Sequence, residues 1–373
     1  MWANQSISTK PKEEFIMRKL LFSGVLTIVL LAFTVPLMAA DWNFYGSVRM
    51  STFYGDNDKD AGDDSGTDWD LQGNARIGAK VKVDDAIGGG FEFAVTDESV
   101  SANKESVNTR LLYATYRSDA GTLLIGQSYT PLADMFYSNQ VYGWIAGDTD
   151  MLGVGQIWDY RRPLIMFSTK GLQIALVEVQ TATALGSGGD VDVIIPKIEL
   201  KYHFKKDNVF ADIFGGYQSY KIEDIPGASD ETISSYTFGV GGGLNFGDAY
   251  VKAGAYMARN AGQFGLLHIT ADDAVYAGGE LIDNDTIGGL FVAGYKASDK
   301  IQLEAGVGYV ASEVDDSAYE KDDNMTYYVQ ATYNIYKGFF IVPEVGVVDY
   351  GDNSSGASQG KNTYFGAKWQ INF

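Results

Sequence analysis

The side chains most often used in catalysis and metal binding are scarce in this chain. His203 and His268 are its two histidines, and there is no cysteine. No HExxH pattern accompanies them, so a hydrolytic zinc site has no ligand set. No serine lies in a GxSxG context, and the glycine runs at 88–90 and 241–243 lack the strand-to-helix setting of a phosphate loop. The sequence therefore predicts neither a catalytic site nor a cofactor.

Carboxylates are concentrated in polar segments such as DNDKDAGDD at residues 56–64. Its spacing superficially resembles a calcium-binding loop, which has glycine at position six and glutamate at position twelve. Here Gly62 comes one position late, and no glutamate occupies the twelfth position. The pattern favours a solvated acidic loop, with loose bridging of divalent ions as the alternative.

Arginines lie instead within segments of strictly alternating polarity. Between residues 69 and 83 one face is apolar and the other carries the polar and charged side chains Asp70, Gln72, Asn74, Arg76, Lys80 and Lys82. Arg49 lies on the polar face of an earlier segment whose other face reads Trp42, Phe44, Val48 and Met50. A period of two is the signature of β-strands. We therefore expect strands to position these arginines on one common face.

The alternation continues through the chain in runs of up to fifteen residues, longer than the usual five or six of a soluble sandwich. Tilted strands of about ten residues span a bilayer. Sixteen strands are predicted, at 42–54, 69–83, 90–97, 107–118, 122–129, 162–169, 172–180, 193–206, 209–222, 233–246, 249–260, 285–297, 301–313, 325–336, 339–350 and 362–373.

The connections between these strands alternate in length. Seven are short turns and eight are longer, mostly acidic loops, which is the pattern of a transmembrane barrel. Sixteen strands close a ring too wide for side chains to fill, so water occupies its centre. The third long loop, from Tyr129 to Arg162, covers roughly thirty residues, a length that usually indicates function. We expect it to fold into the pore and narrow it.

The N-terminal region has the order of an export signal. Met17, Arg18 and Lys19 precede an apolar stretch, which ends in small residues at Ala39 and Ala40. We interpret 17–40 as a signal peptide, 1–16 as an over-extended start and 41–373 as the barrel, with an uncleaved inner-membrane anchor as the alternative. The formal net charge of −20 makes nucleic acid an unfavourable partner.

The chain resembles a known family, the Gram-negative outer-membrane general porins. The motifs that carry the resemblance are FYGSVR at 44–49, NARIG at 74–78, TRLLY at 109–113, GTLLIGQ at 121–127, YRR at 160–162 and the terminal Phe373. The resemblance implies an all-β, sixteen-stranded antiparallel transmembrane β-barrel with an inward-folded third external loop, assembled as a homotrimer. It also implies that Phe373 is read by the barrel-assembly machinery.

In that family, acidic residues of the third loop face arginines of the barrel wall. The segment AGDTD at 146–150 resembles the acidic tip, so the resemblance assigns Asp148 and Asp150 to the constriction, with Asp134 and Asp159 as further candidates.

The arginines expected opposite them are Arg76 and Arg110 by resemblance and Arg49 by alternation. Of the doublet at 161 and 162 we favour Arg162, because Ile165 and Phe167 then face the lipid; a slip of one residue would select Arg161.

The predicted function is passive diffusion of small hydrophilic solutes and ions through the outer membrane, with a weak preference for cations that follows from the acidic charge. A substrate-selective channel for a sugar or an anion shares the fold and remains an alternative, as does a secreted all-β binding protein. Expected partners are outer-membrane lipid and lipopolysaccharide, with bridging of lipopolysaccharide by divalent ions at the first acidic loop as the alternative to a solvated loop.

Overall fold

A closed ring of sixteen antiparallel strands forms the wall of the molecule. The computed structural model describes residues 40–58, 65–97, 105–143, 149–179, 190–193, 195–224, 229–268, 270–277 and 279–373. Residues 1–39, which contain the segment 1–16 and all but the last residue of the predicted signal peptide, lie outside the described residues.

The described strand segments are β1 (Asp41–Asp58), β2 (Gly66–Leu71), β3 (Arg76–Lys82), β4 (Ile87–Asp97), β5 (Glu105–Ser118), β6 (Gly121–Tyr129), β7 (Arg161–Thr169), β8 (Leu172–Val177), β9 (Asp190–Asp192), β10 (Lys197–Lys206), β11 (Val209–Glu223), β12 (Glu231–Phe246), β13 (Ala249–Arg259), β14 (Val275–Ala277), β15 (Glu280–Ile282), β16 (Asn284–Lys296), β17 (Ile301–Val314), β18 (Asp322–Tyr336), β19 (Phe339–Asp349) and β20 (Lys361–Asn372). β2 and β3 pair with successive parts of β1 and together form the second wall strand. β9 and β10 pair with successive parts of β11 and form the eighth. β14 and β15 form a separate hairpin.

The first and last strands close the ring. β1 pairs with β20 from Ser47–Asn372 to Asp58–Lys361. Phe373 then continues the pairing, since its N–H donates to the Gly46 carbonyl at 3.0 Å and its carbonyl accepts from the Gly46 N–H at 2.8 Å. Every wall strand therefore has two neighbours, which is the condition for crossing a lipid phase that cannot hydrogen-bond to the backbone.

The polarity of the two wall faces is the reverse of that in a soluble protein, with apolar side chains outside and polar side chains inside. On β16, Ile287 and Phe291 point outward and are 57% and 50% exposed, whereas the inward Thr286 is 1% exposed. The outer surface carries large apolar side chains of this kind on nearly every strand, while the buried set contains many Glu, Gln, Asn and Thr residues. The polar face therefore surrounds the interior of the barrel and the apolar face contacts lipid.

The sixteen predicted strands are confirmed in number and in order. Their bounds differ at several ends: the segment predicted at 172–180 ends at Val177, and the segment predicted at 193–206 is a strand only from Lys197, with β9 preceding it. These two differences lie where strands enter an external loop, whereas β4 begins at Ile87, three residues earlier than predicted, beside a short turn.

The second wall strand is interrupted, which the sequence did not indicate. β1 pairs Met50 with Leu71 and then Ser47 with Arg76, so four residues of the second strand lie opposite two of β1. Because the excess is two residues, an even number, the inward and outward faces keep their phase on both sides of the break. The irregular segment brings the Gln72 side chain to the third loop, where it donates to the Val141 carbonyl at 2.9 Å.

The connection between β13 and β16 contains elements that alternation did not predict. A short helix, α1 (Ala261–Phe264), follows β13, and the β14–β15 hairpin precedes β16. Within the described residues, none of the helices has the length and apolar character needed to cross a membrane.

Candidate channel constriction

The third external loop, residues 130–160, is described at 130–143 and 149–160. Its two ends are tied together at its base, where Thr130 donates its N–H to the Tyr160 carbonyl and its hydroxyl to the Asp159 carbonyl. Tyr160 has a φ of 55°, a left-handed conformation that reverses the chain before β7 begins. A 3-10 helix (Asp150–Leu152) lies at the start of its described returning half.

Acidic side chains of the inward wall face hold the outgoing half of the loop. Four of them, here called the anchoring carboxylates, accept hydrogen bonds from it: Glu199 from the Leu132 N–H (3.1 Å), Asp212 from the Tyr137 hydroxyl (2.8 Å), Glu304 from the Asn139 N–H (2.8 Å) and Glu344 from the Val141 and Tyr142 N–H groups (2.9 and 3.0 Å). A loop outside the sheet has no ladder partners for its backbone, and carboxylates supply strong acceptors.

Apolar contacts reinforce this attachment. Leu132, Met135, Met151 and Ile157 of the loop form one buried cluster with wall side chains, including Phe214, Tyr256, Leu290, Val292 and Tyr328. Gly155, at a φ of 96°, lies so near β16 that an added Cβ would be 2.4 Å from the Gly289 carbonyl oxygen. Glycine is therefore required where the returning half meets the wall.

Two of the predicted arginines meet at one carboxylate. Glu92 of β4 accepts from the Arg110 guanidinium at 2.6 Å and from Arg76 at 3.2 Å, and Tyr45 donates to it at 3.0 Å. Arg110 also donates to the Tyr129 hydroxyl at 3.1 Å. Their described carboxylate partner is therefore an acid of the wall itself.

A β-bulge orients Arg110. β4 pairs Glu92 with Leu111 and Phe93 with Thr109, so Arg110 is the extra residue opposite the step between them. A bulge places two successive residues toward the same face. Arg110 therefore points inward beside Leu111, although strict alternation would place only one of the two on that face.

Arg162 belongs to a different cluster, at the base of the loop. Its guanidinium donates to Asp159 at 2.7 Å and to the Gly265 carbonyl at 2.7 Å. Lys197 also forms a buried ion pair with Asp159 and donates to the Phe264 carbonyl at 3.1 Å. Arg162 thus connects the third loop to the segment around α1. Of the doublet, Arg162 is the buried member.

The remaining predicted residues are distributed elsewhere. Arg49 donates to the Ser47 hydroxyl of its own strand at 2.8 Å. Asp148 lies outside the described residues. Asp150 is fully buried, and its N–H donates to the Tyr142 carbonyl at 2.9 Å. Burial raises the pKa of the Tyr142 phenol, and the nearby Asp150 carboxylate raises it further. Arg76 and Arg110 thus share the carboxylate of Glu92, whereas Arg162 pairs with Asp159.

Sequence reasoning missed Glu92, the anchoring carboxylates and Lys197. A signal was present, since alternation places Glu92 between Phe91 and Phe93, and Glu304 between Leu303 and Ala305, on the inward face. What alternation does not provide is the partner of each acid. Within the described part of the chain, no group of three or more His, Asp or Glu side chains is arranged to hold a metal ion.

Comparison with protein families identifies the chain independently of its geometry. The family model of the Gram-negative porins matches residues 26–354, most of the chain. No curated protein matches at a significant level.

Solved structures with the same fold are outer-membrane proteins. The outer membrane channel DcaP of Acinetobacter baumannii is 18% identical, with a TM-score of 0.70 over 90% of this chain and 97% of that one. The anion-selective porin from Comamonas acidovorans is 14% identical, with a TM-score of 0.61 over 90% of this chain and 100% of that one. OmpF of Salmonella typhi is 14% identical, with a TM-score of 0.60 over 88% and 97%. Identities this low establish the shared fold.

The family match and the closed barrel agree with each other. They assign the protein to the outer membrane as a channel and not as an enzyme, which removes the secreted binding protein from the alternatives. The chain is a member of the Gram-negative porin family.

Proposed function

We propose that the barrel is a passive diffusion channel for small hydrophilic solutes and ions, folded so that the third external loop lies inside the lumen and narrows it. The observation that carries this proposal is the set of anchoring carboxylates. They lie on β10, β11, β17 and β19, and hydrogen bonds from the loop to inward-facing acids of four strands support a loop folded into the lumen.

The proposed constriction has the loop on one side and arginines on the other. Arg49, Arg76 and Arg110 lie on β1, β3 and β5, apart from the strands that carry the anchoring carboxylates. Arg162 belongs to the base that holds the loop in place. The proposal keeps Asp148 and Asp150 as the acidic side of the constriction, following the resemblance of AGDTD to the loop tip.

Two parts of the molecule act oppositely on ion preference. The acidic external loops concentrate cations at the mouth, which supports the weak cation preference predicted from the charge. The anchoring carboxylates, however, are hydrogen-bonded to the loop, whereas the arginines on β1, β3 and β5 carry positive charge on the wall. This arrangement favours an anion-selective channel as the second candidate.

The proposal also includes assembly and surface contacts. We infer a homotrimer, because one solved structure with this fold, OmpT of Vibrio cholerae, is a trimer form. Phe373 is the proposed signal for the barrel-assembly machinery. Lipid surrounds the apolar outer face, and lipopolysaccharide contacts the acidic loops.

Planar-bilayer recordings on the purified protein test the function. We expect stable single-channel conductance, and Arg76→Ala and Asp148→Asn should each change conductance or shift the reversal potential in a salt gradient. Unchanged values in both variants would remove these residues from the constriction. More permeant anions in the unmodified protein would contradict the cation preference, and liposome swelling with sugars of graded size would distinguish passive diffusion from selection of one sugar.

A further inference from the structure

An amphipathic surface lies on the inward wall near the short turns, which face the periplasm in transmembrane barrels of this kind. It consists of His203 on β10, Phe210 on β11, and Tyr250 and Lys252 on β13, here called the aromatic–basic patch. Phe210 and Tyr250 each lie two residues after a short turn, at 207–208 and 247–248, so they lie at similar depth. All four are partly exposed or partly buried on the inward face of their strands.

The inward assignment follows from burial along the same strands. Lys252 shares its face of β13 with Tyr256, which is 5% exposed, while the neighbouring Met257 on the other face is 57% exposed. His203 shares its face of β10 with the buried Lys201, and the outward Tyr202 is 45% exposed. The patch therefore faces the interior of the barrel and not the lipid.

The four side chains form one continuous surface because the strand between them has a glycine. A Cβ at Gly243 of β12 would lie 2.5 Å from the Phe210 ring and 3.1 Å from the Lys252 side chain, so these two meet over that glycine. The His203 and Phe210 ring centroids are 5.9 Å apart. The Lys252 ammonium is 5.3 Å from the centre of the Tyr250 ring.

The carboxylates that border the patch are already engaged. Asp212 contacts His203 Nδ1 with one oxygen at 2.7 Å and accepts from the Tyr137 hydroxyl with the other at 2.8 Å. Glu304 accepts hydrogen bonds from Asn139 and from the hydroxyls of Tyr328 and Tyr250.

The Lys252 ammonium and the exposed edge of the His203 ring remain available to a solute. Among the described residues, neither the Lys252 ammonium nor His203 Nε2 has a hydrogen-bonding acceptor. The His203 side chain is 42% exposed, and its contact with Asp212 fixes the ring so that Nε2 points away from that carboxylate. Aromatic rings and one ammonium group, that of Lys252, thus lie side by side, and Tyr137 of the third loop stacks on Phe210.

We propose that the aromatic–basic patch is a solute-binding site for small organic anions that carry a flat aromatic ring, a proposal that rests on the channel function above. The anionic group of the solute binds the Lys252 ammonium, and its ring packs against Phe210 and Tyr250, with the His203 ring at the edge of the site. Aromatic packing and a charge-assisted hydrogen bond each contribute modestly. Binding of this strength retains a solute briefly and still releases it, as permeation requires.

Single-channel recording with benzoate tests the site. Benzoate added on the periplasmic side should reduce the current through the full-length protein at millimolar concentration. Acetate lacks the ring, and benzylammonium has the opposite charge. Each should need about a tenfold higher concentration to reduce the current by the same amount. Equal effects of benzoate and acetate would overturn the proposal.

Variants assign the effect to the patch. Lys252→Gln and Phe210→Leu should each raise the half-blocking concentration of benzoate about tenfold, since each removes one of the two interactions. Lys252→Arg should restore most of the block, and Lys337→Gln, in a periplasmic turn, should change nothing. Gel migration with and without heating verifies that each variant forms a barrel.

The two levels of the proposal fail differently. A purified, folded protein without conductance would refute the channel function. Normal conductance in which benzoate has no effect, or in which Lys252→Gln leaves the block unchanged, would refute the binding site alone.

Discussion

Glu92 is the residue of the candidate constriction that binds two of the predicted arginines at once. It is 3% exposed, and two arginines and one tyrosine share its carboxylate. It offsets the positive charge of Arg76 and Arg110 and also fixes their guanidinium planes. A single buried acid therefore controls both the direction and the effective charge of two wall arginines.

Replacing Glu92 with glutamine should shift selectivity toward anions. The substitution removes one negative charge while both arginines remain, so the reversal potential in a potassium chloride gradient should move in the anion direction. Asp119→Asn, in an exposed periplasmic turn, is the matched control and should leave it unchanged. A shift toward cations in Glu92→Gln would contradict the assigned role.

Asp273, in the loop between α1 and β14, predicts a pH-dependent property. Burial, with a contribution from neighbouring Asp272, raises its pKa from 3.8 to about 6. An acid with a raised folded-state pKa stabilises the loop fully below its ordinary pKa and loses that contribution as pH rises through about 6.

Hydrogen exchange of residues 261–277, corrected for the intrinsic pH effect on exchange, should therefore show more protection at pH 4 than at pH 7. In Asp273→Asn this difference should shrink, because the titrating group is gone. Equal pH dependence in the two proteins would exclude Asp273 as its source.

At the scale of elements, the third loop is attached by side chains rather than by strand pairing. Its acceptors come from four wall strands, and the acid–amide pairs lie far apart in sequence, as with Val141 and Glu344. The local stability of the loop therefore depends on each of these hydrogen bonds separately. The wall strands, in contrast, are stabilised cooperatively by the continuous ladder of backbone hydrogen bonds.

Glu344→Ala should loosen the loop without disrupting the barrel. It leaves the Val141 and Tyr142 N–H groups without their acceptor, at a cost of about 2 kcal/mol in local stability. We expect a noisier open-channel current and a higher mean conductance in bilayer recordings. Glu313→Ala, at the exposed external end of β17, should behave like the unmodified protein, and a quiet current in Glu344→Ala would contradict the anchoring role.

The sequence predicted the elements better than it predicted their contacts. Sixteen strands followed from alternation because each inward or outward choice is local. The break at residues 72–75 left no trace, since an even insertion keeps the alternation in phase. The bulge at Arg110 and the pairing of Val141 with Glu344 depend on residues that only the closed fold brings together.

At the scale of the whole molecule, stability comes from the closed hydrogen-bonded ring without any covalent cross-link. The chain has no cysteine, and its wall strands pair on both sides. Opening such a ring breaks a whole ladder at once, so unfolding should be slow.

This predicts different migration of heated and unheated samples on SDS gels. Unheated protein should run as a compact species and boiled protein as an unfolded chain, with no influence of reducing agent. Identical migration of both samples would contradict a barrel that resists detergent.

The pairing of Phe373 with Gly46 has a consequence for biosynthesis. Phe373 and β20 complete the partner of the first strand, and the contact between Thr52 and Ala367 spans 315 positions. The ring therefore cannot close until β20 has been translated and exported, and every earlier intermediate has two open strand edges that favour aggregation. The unfinished chain must therefore be kept from aggregating until it reaches the membrane. A chain whose translation stops one strand early cannot close the ring.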